Sequence, residues 1–172
     1  QKNIKKNMGR CIKMNLFFKI VNKLANMHNI LRINEYKKMI TGENYRLGYE
    51  VYMQHPENIQ IGNGTYINSG FIYASPKAHI KIGDNCLISY NVHIRTDSHN
   101  YKKRDECIKN QGNFEKSITI GNDVWIGYGA QIMPGCEIED GTVIGAGAVV
   151  THSTDKYGVY GGVPAHKIGT RK

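Results

Sequence analysis

Residues 120–155 read IGNDVW IGYGAQ IMPGCE IEDGTV IGAGAV VTHSTD, six consecutive six-residue units in one register. Each unit opens with an aliphatic residue, Ile120, Ile126, Ile132, Ile138, Ile144 and Val150 in turn. Four positions further on stands a small or β-branched residue: Val124, Ala130, Cys136, Thr142, Ala148 and Thr154. Three units have glycine directly after the aliphatic residue, at 121, 127 and 145. A β sandwich would instead alternate with period two and turn every 8 to 12 residues or so. A six-residue period fits a triangular coil of about 18 residues, built from three short strands and three tight turns. The aliphatic side chain fills a narrow prism, the small residue lets the corner close, and glycine or asparagine relieves the turn. Units at Ile82 (IGDNCL), Ile88 (ISYNVH) and Ile94 (IRTDSH) supply another coil, and those at Ile61 (IGNGTY) and Ile67 (INSGFI) an earlier one. The fold expected is all-β, a parallel β-helix of about four stacked coils whose ends need capping.

Two interruptions stand out. Ile61 and Ile82 are 21 residues apart, so a small bulge is expected around Ser75 to His79. Between the units at Ile94 and Ile120 runs a polar loop, DSHNYKKRDECIKNQGNFEKS, from Asp97 to Ser117. A regular coil has no use for it, and long loops carried on rigid scaffolds tend to hold function. The expected organisation is an arm over residues 1–50 and a β-helix domain over 51–172, with the loop at 97–117 and a C-terminal tail at 155–172.

The net charge of +9 over 172 residues is unevenly placed. Residues 1–40 hold ten Lys and Arg against one acid, Glu35, while residues 41–172 hold thirteen of each sign. The basic excess therefore belongs to the arm, which argues against a nucleic-acid-binding domain, since that needs its basic stripe on the folded part. Within the arm, Ile12, Leu16, Ile20, Leu24, Met27 and Leu31 recur at three- and four-residue spacing, one face of an amphipathic helix. Two destinations suit that stripe: the β-helix or a neighbouring subunit, or the anionic inner leaflet of a membrane. No apolar run approaches the roughly 20 residues that span a bilayer. The four cysteines, Cys11, Cys86, Cys107 and Cys136, form no metal-type cluster, and Cys86 and Cys136 fall on inward positions of their units. A cytoplasmic protein, at most peripheral to the membrane, is the expectation.

Residues 57–168 carry a more specific signal. The segments T-D-S-H at 96–99, D-V-W-I-G at 123–127, G-A-G-A-V-V at 145–150 and G-V-P-A at 162–165 together resemble the hexapeptide-repeat acetyltransferases of the maltose and galactoside O-acetyltransferase kind. Bacterial capsule and lipopolysaccharide O-acetyltransferases, where S-H-N-Y starts the loop, look closer still. The resemblance implies a left-handed β-helix, a homotrimer with active sites between subunits, acetyl-CoA as co-substrate and a saccharide acceptor. It also implies His99 as catalytic base. Ser89, Trp125, Gly127, Tyr128, Ala146, Thr151, His152 and His166 would contact the coenzyme; apart from the resemblance, the tail cations Lys167, Arg171 and Lys172 suit either its 3′-phosphate or plain solvent. Where galactoside-type enzymes place an acceptor-binding asparagine this sequence departs, with Ser69 there and Asn68 beside it, so the activity class carries over better than the sugar; Asp97 and Tyr101 flank the base.

Histidine suits the chemistry, since its ordinary pKa near 6.5 leaves it mostly neutral and basic around pH 7. Acetyl-CoA brings an activated acyl group, so neither a metal nor a covalent enzyme intermediate is required. One alternative is N-acetylation of an amino sugar. A zinc enzyme of the carbonic-anhydrase kind would need three histidine ligands; His93 and His99 supply two, and no third follows. A non-catalytic scaffold would carry neither the loop histidine nor the coenzyme motifs. His28, His55, His79 and His93 are read as surface or packing residues.

Overall fold

The computed structural model describes residues 2–172, with side chains from Leu16 onward. Cys11, Ile12 and the basic side chains before Leu16 lie outside that description. Parallel strands stack into three flat faces. The first face is built from Ile59–Ile61, Ile80–Ile82, Ile118–Ile120 and Glu137–Ile138. Tyr66–Ile67, Leu87–Ile88, Trp125–Ile126 and Val143–Ile144 make the second, which Gly158–Gly161 extends. In the third, Gly70–Tyr73, Val92–Arg95, Gln131–Ile132 and Val149–Val150 lie side by side.

The expected β-helix is therefore observed, with about five turns where four were expected. The additional turn comes first. Thr41 bridges to Gln60, and the strand Arg46–Gln54 runs parallel to Tyr66–Tyr73. The helical arm ends at Met39, so the β-helix starts well ahead of residue 51. Inward positions behave as the repeat requires. Val124, Ala130, Cys136, Thr142, Ala148 and Thr154 are all buried, as are Cys86 and the aliphatic residue of every unit from Ile61 to Val150. Full burial of such a side chain is worth about 1.5–3 kcal/mol relative to exposure.

The two kinds of corner glycine have different causes. Left-handed backbone falls on the fourth residue of the unit, at Asn85, Asn91, Asp123, Gly129, Gly135, Gly141 and Gly147. The glycine in second position answers instead to close stacking: a Cβ on Gly127 would come within 2.7 Å of the Ala146 nitrogen in the next coil.

The ends are capped as a stack of coils requires. The last turns of the helix Lys2–Met39 bury Ile33 and Ile40 and rest Tyr36 against the first coil, where the Tyr36 hydroxyl accepts the Met53 N–H at 3.2 Å. At the other end Gly158–Gly161 and His166–Thr170 form an antiparallel hairpin. The apolar stripe of the arm does not dock on this chain's own β-helix. Leu16, Ile20, Leu24, Met27 and Leu31 are each at least half exposed. Among the described residues, no helix is long and apolar enough to cross a membrane.

Candidate active site

The bulge expected near Ser75 is a tight turn, in which Ser75 and Ala78 pair across Pro76–Lys77. It fastens the root of the loop: the Ser75 and Thr96 hydroxyls lie 2.8 Å apart, and the Glu115 carboxylate accepts the Lys77 N–H at 2.8 Å. The Ser75 hydroxyl, followed by that N–H, holds the Glu115 carboxyl below its ordinary range. The loop has structure of its own. Asp97–His99 pairs antiparallel with Asn113–Glu115, His99 opposite Asn113. Further out, Gln111 staples the loop, its Nε2 donating to the Lys103 and Glu106 carbonyls at 2.8 Å each while its Oε1 accepts the Lys103 N–H.

His99 thus stands at the end of a short, pinned stem. It lines a cavity of about 870 Å³ with Tyr101, Lys102, Phe114, Lys116 and Thr151. Asn100, Lys103 and Gln111 complete the wall. Of the residues expected from sequence, His99, Tyr101 and Thr151 come together here, and His152 adjoins, its Nδ1 2.9 Å from the Thr151 hydroxyl. Asp97 lies on the stem but turns to Arg95, 3.0 Å away. Sequence reasoning missed Asn100, Lys102, Lys103, Gln111, Phe114 and Lys116. No period marks them, and only the folded loop brings the last three to the histidine.

The remaining expected residues lie elsewhere. Ser89, Gly127 and Ala146 stack at the corner between the second and third faces. There Ser89 N–H donates to the Ile126 carbonyl at 3.0 Å and Gly127 N–H to Ile144 at 2.8 Å. Tyr128 is exposed at this corner and its hydroxyl accepts from Asn91 at 2.8 Å. Trp125, exposed on the second face, sits in register between Leu87 and Val143. His166 lies opposite Gly161 in the terminal hairpin. Lys167 is engaged with Asp155 at 2.8 Å, and that carboxylate raises the lysine's pKa. Arg171, at the end of the tail, binds Asp123 and the Gly141 carbonyl.

Asn68 lines a separate depression with Arg46 and Tyr66. Ser69 is buried, its hydroxyl accepting the Asn91 N–H at 2.9 Å. Within one chain the third face separates His99 from the Gly127 corner. The strand Val92–Arg95 crosses that gap, a span of about 13 Å at the usual strand rise. Among the described residues, no three His, Cys, Asp or Glu side chains are grouped to hold a metal ion.

Residues 117–152 match the model of the bacterial transferase hexapeptide family, described as six repeats. A solved galactoside acetyltransferase in complex with coenzyme A superposes with a TM-score of 0.65 at 32% identity, over 81% of this chain and 69% of that one. This chain belongs to the hexapeptide-repeat acetyltransferase family. The galactoside O-acetyltransferase of Escherichia coli K12 is 39% identical over 127 residues, 74% of this chain. The match takes in 61% of that relative's length. A hexapeptide-repeat acetyltransferase structure from Vibrio cholerae superposes with a TM-score of 0.73 at 27% identity, over 84% of this chain and 81% of that one. In this hexapeptide-repeat protein Gly127 and Ala146 of the glycine corner lie within the matched repeats, and the loop carrying His99 stands just ahead of them.

Proposed function

We propose that this chain is an acetyl-CoA-dependent O-acetyltransferase acting on a hydroxyl of a saccharide, a bacterial surface polysaccharide or its precursor, with His99 as general base. The observation that carries the reading is the placement of His99, held by a pinned antiparallel stem at the wall of a cavity large enough for a sugar. Kinship with galactoside O-acetyltransferase supports the reaction class. His99 takes the proton of the acceptor hydroxyl as its oxygen attacks the thioester carbonyl. The imidazolium returns that proton to the departing thiolate, so protons balance and nothing is left on the enzyme. A base so placed contributes about 10²- to 10⁴-fold in rate.

The coenzyme fits the other corner. Ser89, Gly127 and Ala146 offer a track without bulky side chains, walled by exposed Tyr128 and Trp125, suited to an extended pantetheine arm. A third face lies between this track and His99 in one chain, which favours a homotrimer in which one subunit presents His99 and the next presents the track. A backbone N–H of the facing corner then meets the oxyanion, an interaction typically worth about 3–4 kcal/mol. The acyl acceptor belongs to the cytoplasmic side, and the basic arm holds the trimer at the inner membrane surface.

The deciding experiment measures thiol release from acetyl-CoA against mono- and oligosaccharides, with amino sugars in the same panel to distinguish N-acetylation. His99→Ala should lower kcat by at least about 100-fold with little change in KM for acetyl-CoA. A fully active variant would refute the assigned base.

A further inference from the structure

The cavity beside His99 has an uneven charge. The loop from 97 to 117 holds five basic residues, Lys102, Lys103, Arg104, Lys109 and Lys116, and four acids, Asp97, Asp105, Glu106 and Glu115. None of those acids lines the cavity, whereas Lys102, Lys103 and Lys116 do. Two of the acids are engaged elsewhere, Asp97 on Arg95 and Glu115 on the Lys77 N–H, while Glu106 pairs with Lys103 and offsets that one cavity cation. Among the described residues, Lys102 and Lys116 have no carboxylate within ion-pair distance. This is not a general property of the catalytic part, because residues 41–172 carry equal numbers of each sign. The loop thus presents two unpaired cations, Lys102 and Lys116, to the cavity.

Like charges gathered in a concave site repel one another and raise the local concentration of anions. A neutral sugar would gain nothing from that arrangement. Lys116 is held rather than free-swinging, because its side chain packs beside Gly135 and its backbone N–H donates to the Thr96 carbonyl at 2.7 Å. Tyr101 and Phe114 add ring faces to the same wall, against which the C–H face of a pyranose can lie.

We propose that the saccharide acceptor is anionic, bearing a carboxylate or a phosphate that Lys102 and Lys116 bind while Tyr101 and Phe114 hold the ring before His99. This inference rests on the acetyltransferase reading above and names the acceptor's chemical class. The shared chemistry is an anionic oxygen group, and separate arms of the test distinguish its two sources.

The test pairs a uronate-containing oligosaccharide with its carboxyl-reduced counterpart, and a hexose phosphate with the parent hexose. Each is measured by thiol release and, without turnover, by saturation-transfer NMR binding. Two exposed cationic contacts should give the charged member of at least one pair about a tenfold advantage in kcat/KM and in binding. The double variant Lys102→Gln, Lys116→Gln should bring that ratio down to about one while KM for acetyl-CoA stays put. Equal use of charged and neutral members by the wild type would overturn the proposal. So would a variant that raises KM for acetyl-CoA and keeps the acceptor ratio, since the lysines would then serve the coenzyme's phosphates. If no acceptor releases thiol, the acetyltransferase reading itself fails, and the binding ratio still decides the anionic preference.

Discussion

The His93 ring meets Phe71 and Tyr73 edge-on, at 6.0 and 5.9 Å between centroids, and its Nε2 is buried with no hydrogen-bond partner. The side chain leaves the prism outward, as its place in the unit suggests, yet neighbouring coils cover it. Burial, and next the charge of Arg95, push its pKa below the ordinary 6.5, against an opposing pull from Asp97. The unfolded chain therefore binds this proton more readily than the folded one. The stability His93 contributes is fully present above pH 6.5 and is lost as pH falls from there through the folded value. The lowered carboxyls of Glu57, Glu115, Asp140 and Asp155 start from 4.5 or 3.8, so their effects lie at lower pH. His93→Phe keeps the ring stack and removes the proton. Thermal melts from pH 7.5 to 5.5 should show a smaller drop in Tm for the variant than for the wild type, and parallel slopes would show that His93 is not the group responsible.

At the scale of elements the arm raises the sharper question. Its buried residues, Ile33 and Ile40, with half-buried Tyr36, recur at three- and four-residue spacing on one side of the helix. The stripe of Leu16, Ile20, Leu24, Met27 and Leu31 continues through Asn34 and Lys38, which are exposed on the opposite side. Apolar surface turned away from the β-helix on so basic a segment suits an anionic lipid surface. Leu24→Glu with Leu31→Glu should abolish co-sedimentation with vesicles containing an anionic phospholipid and leave thiol release intact. Undiminished sedimentation would remove the arm from the membrane.

The same contrast shows what could be read in advance. Coils two to five were legible because each inward position demands an aliphatic or small residue at a fixed spacing. The first coil was not, because Gly42 faces Ile61, and the register slips between Leu47 and Glu50. Capping by the helix relaxes the demand for a hexad there. His99 was legible as the histidine at the root of the loop. Tyr101 was named with it, but the lysines and Phe114 were not, since the turns of an irregular loop leave no period in sequence.

For the whole molecule the separation of the two corners matters most. Each coil touches only its neighbours, so no rearrangement within a chain carries His99 across the third face to the Gly127 corner. Genetically, two inactive alleles should then rescue each other. One would be His99→Ala. The other would be Ala146→Trp, which fills the exposed corner proposed to hold the coenzyme without entering the core. Each alone is silent, but random co-assembly of the two chains leaves about one interface in four with an intact histidine facing an intact track. Co-expression should recover roughly a quarter of the wild-type thiol release, and a mixture as inactive as its parents would mean that both halves of the site come from one chain. In a cell, and for the proposed trimer, a copy defective at only one of these residues would leave the wild type unharmed, because it spoils one site and completes another, whereas a copy defective at both would act as a partial poison.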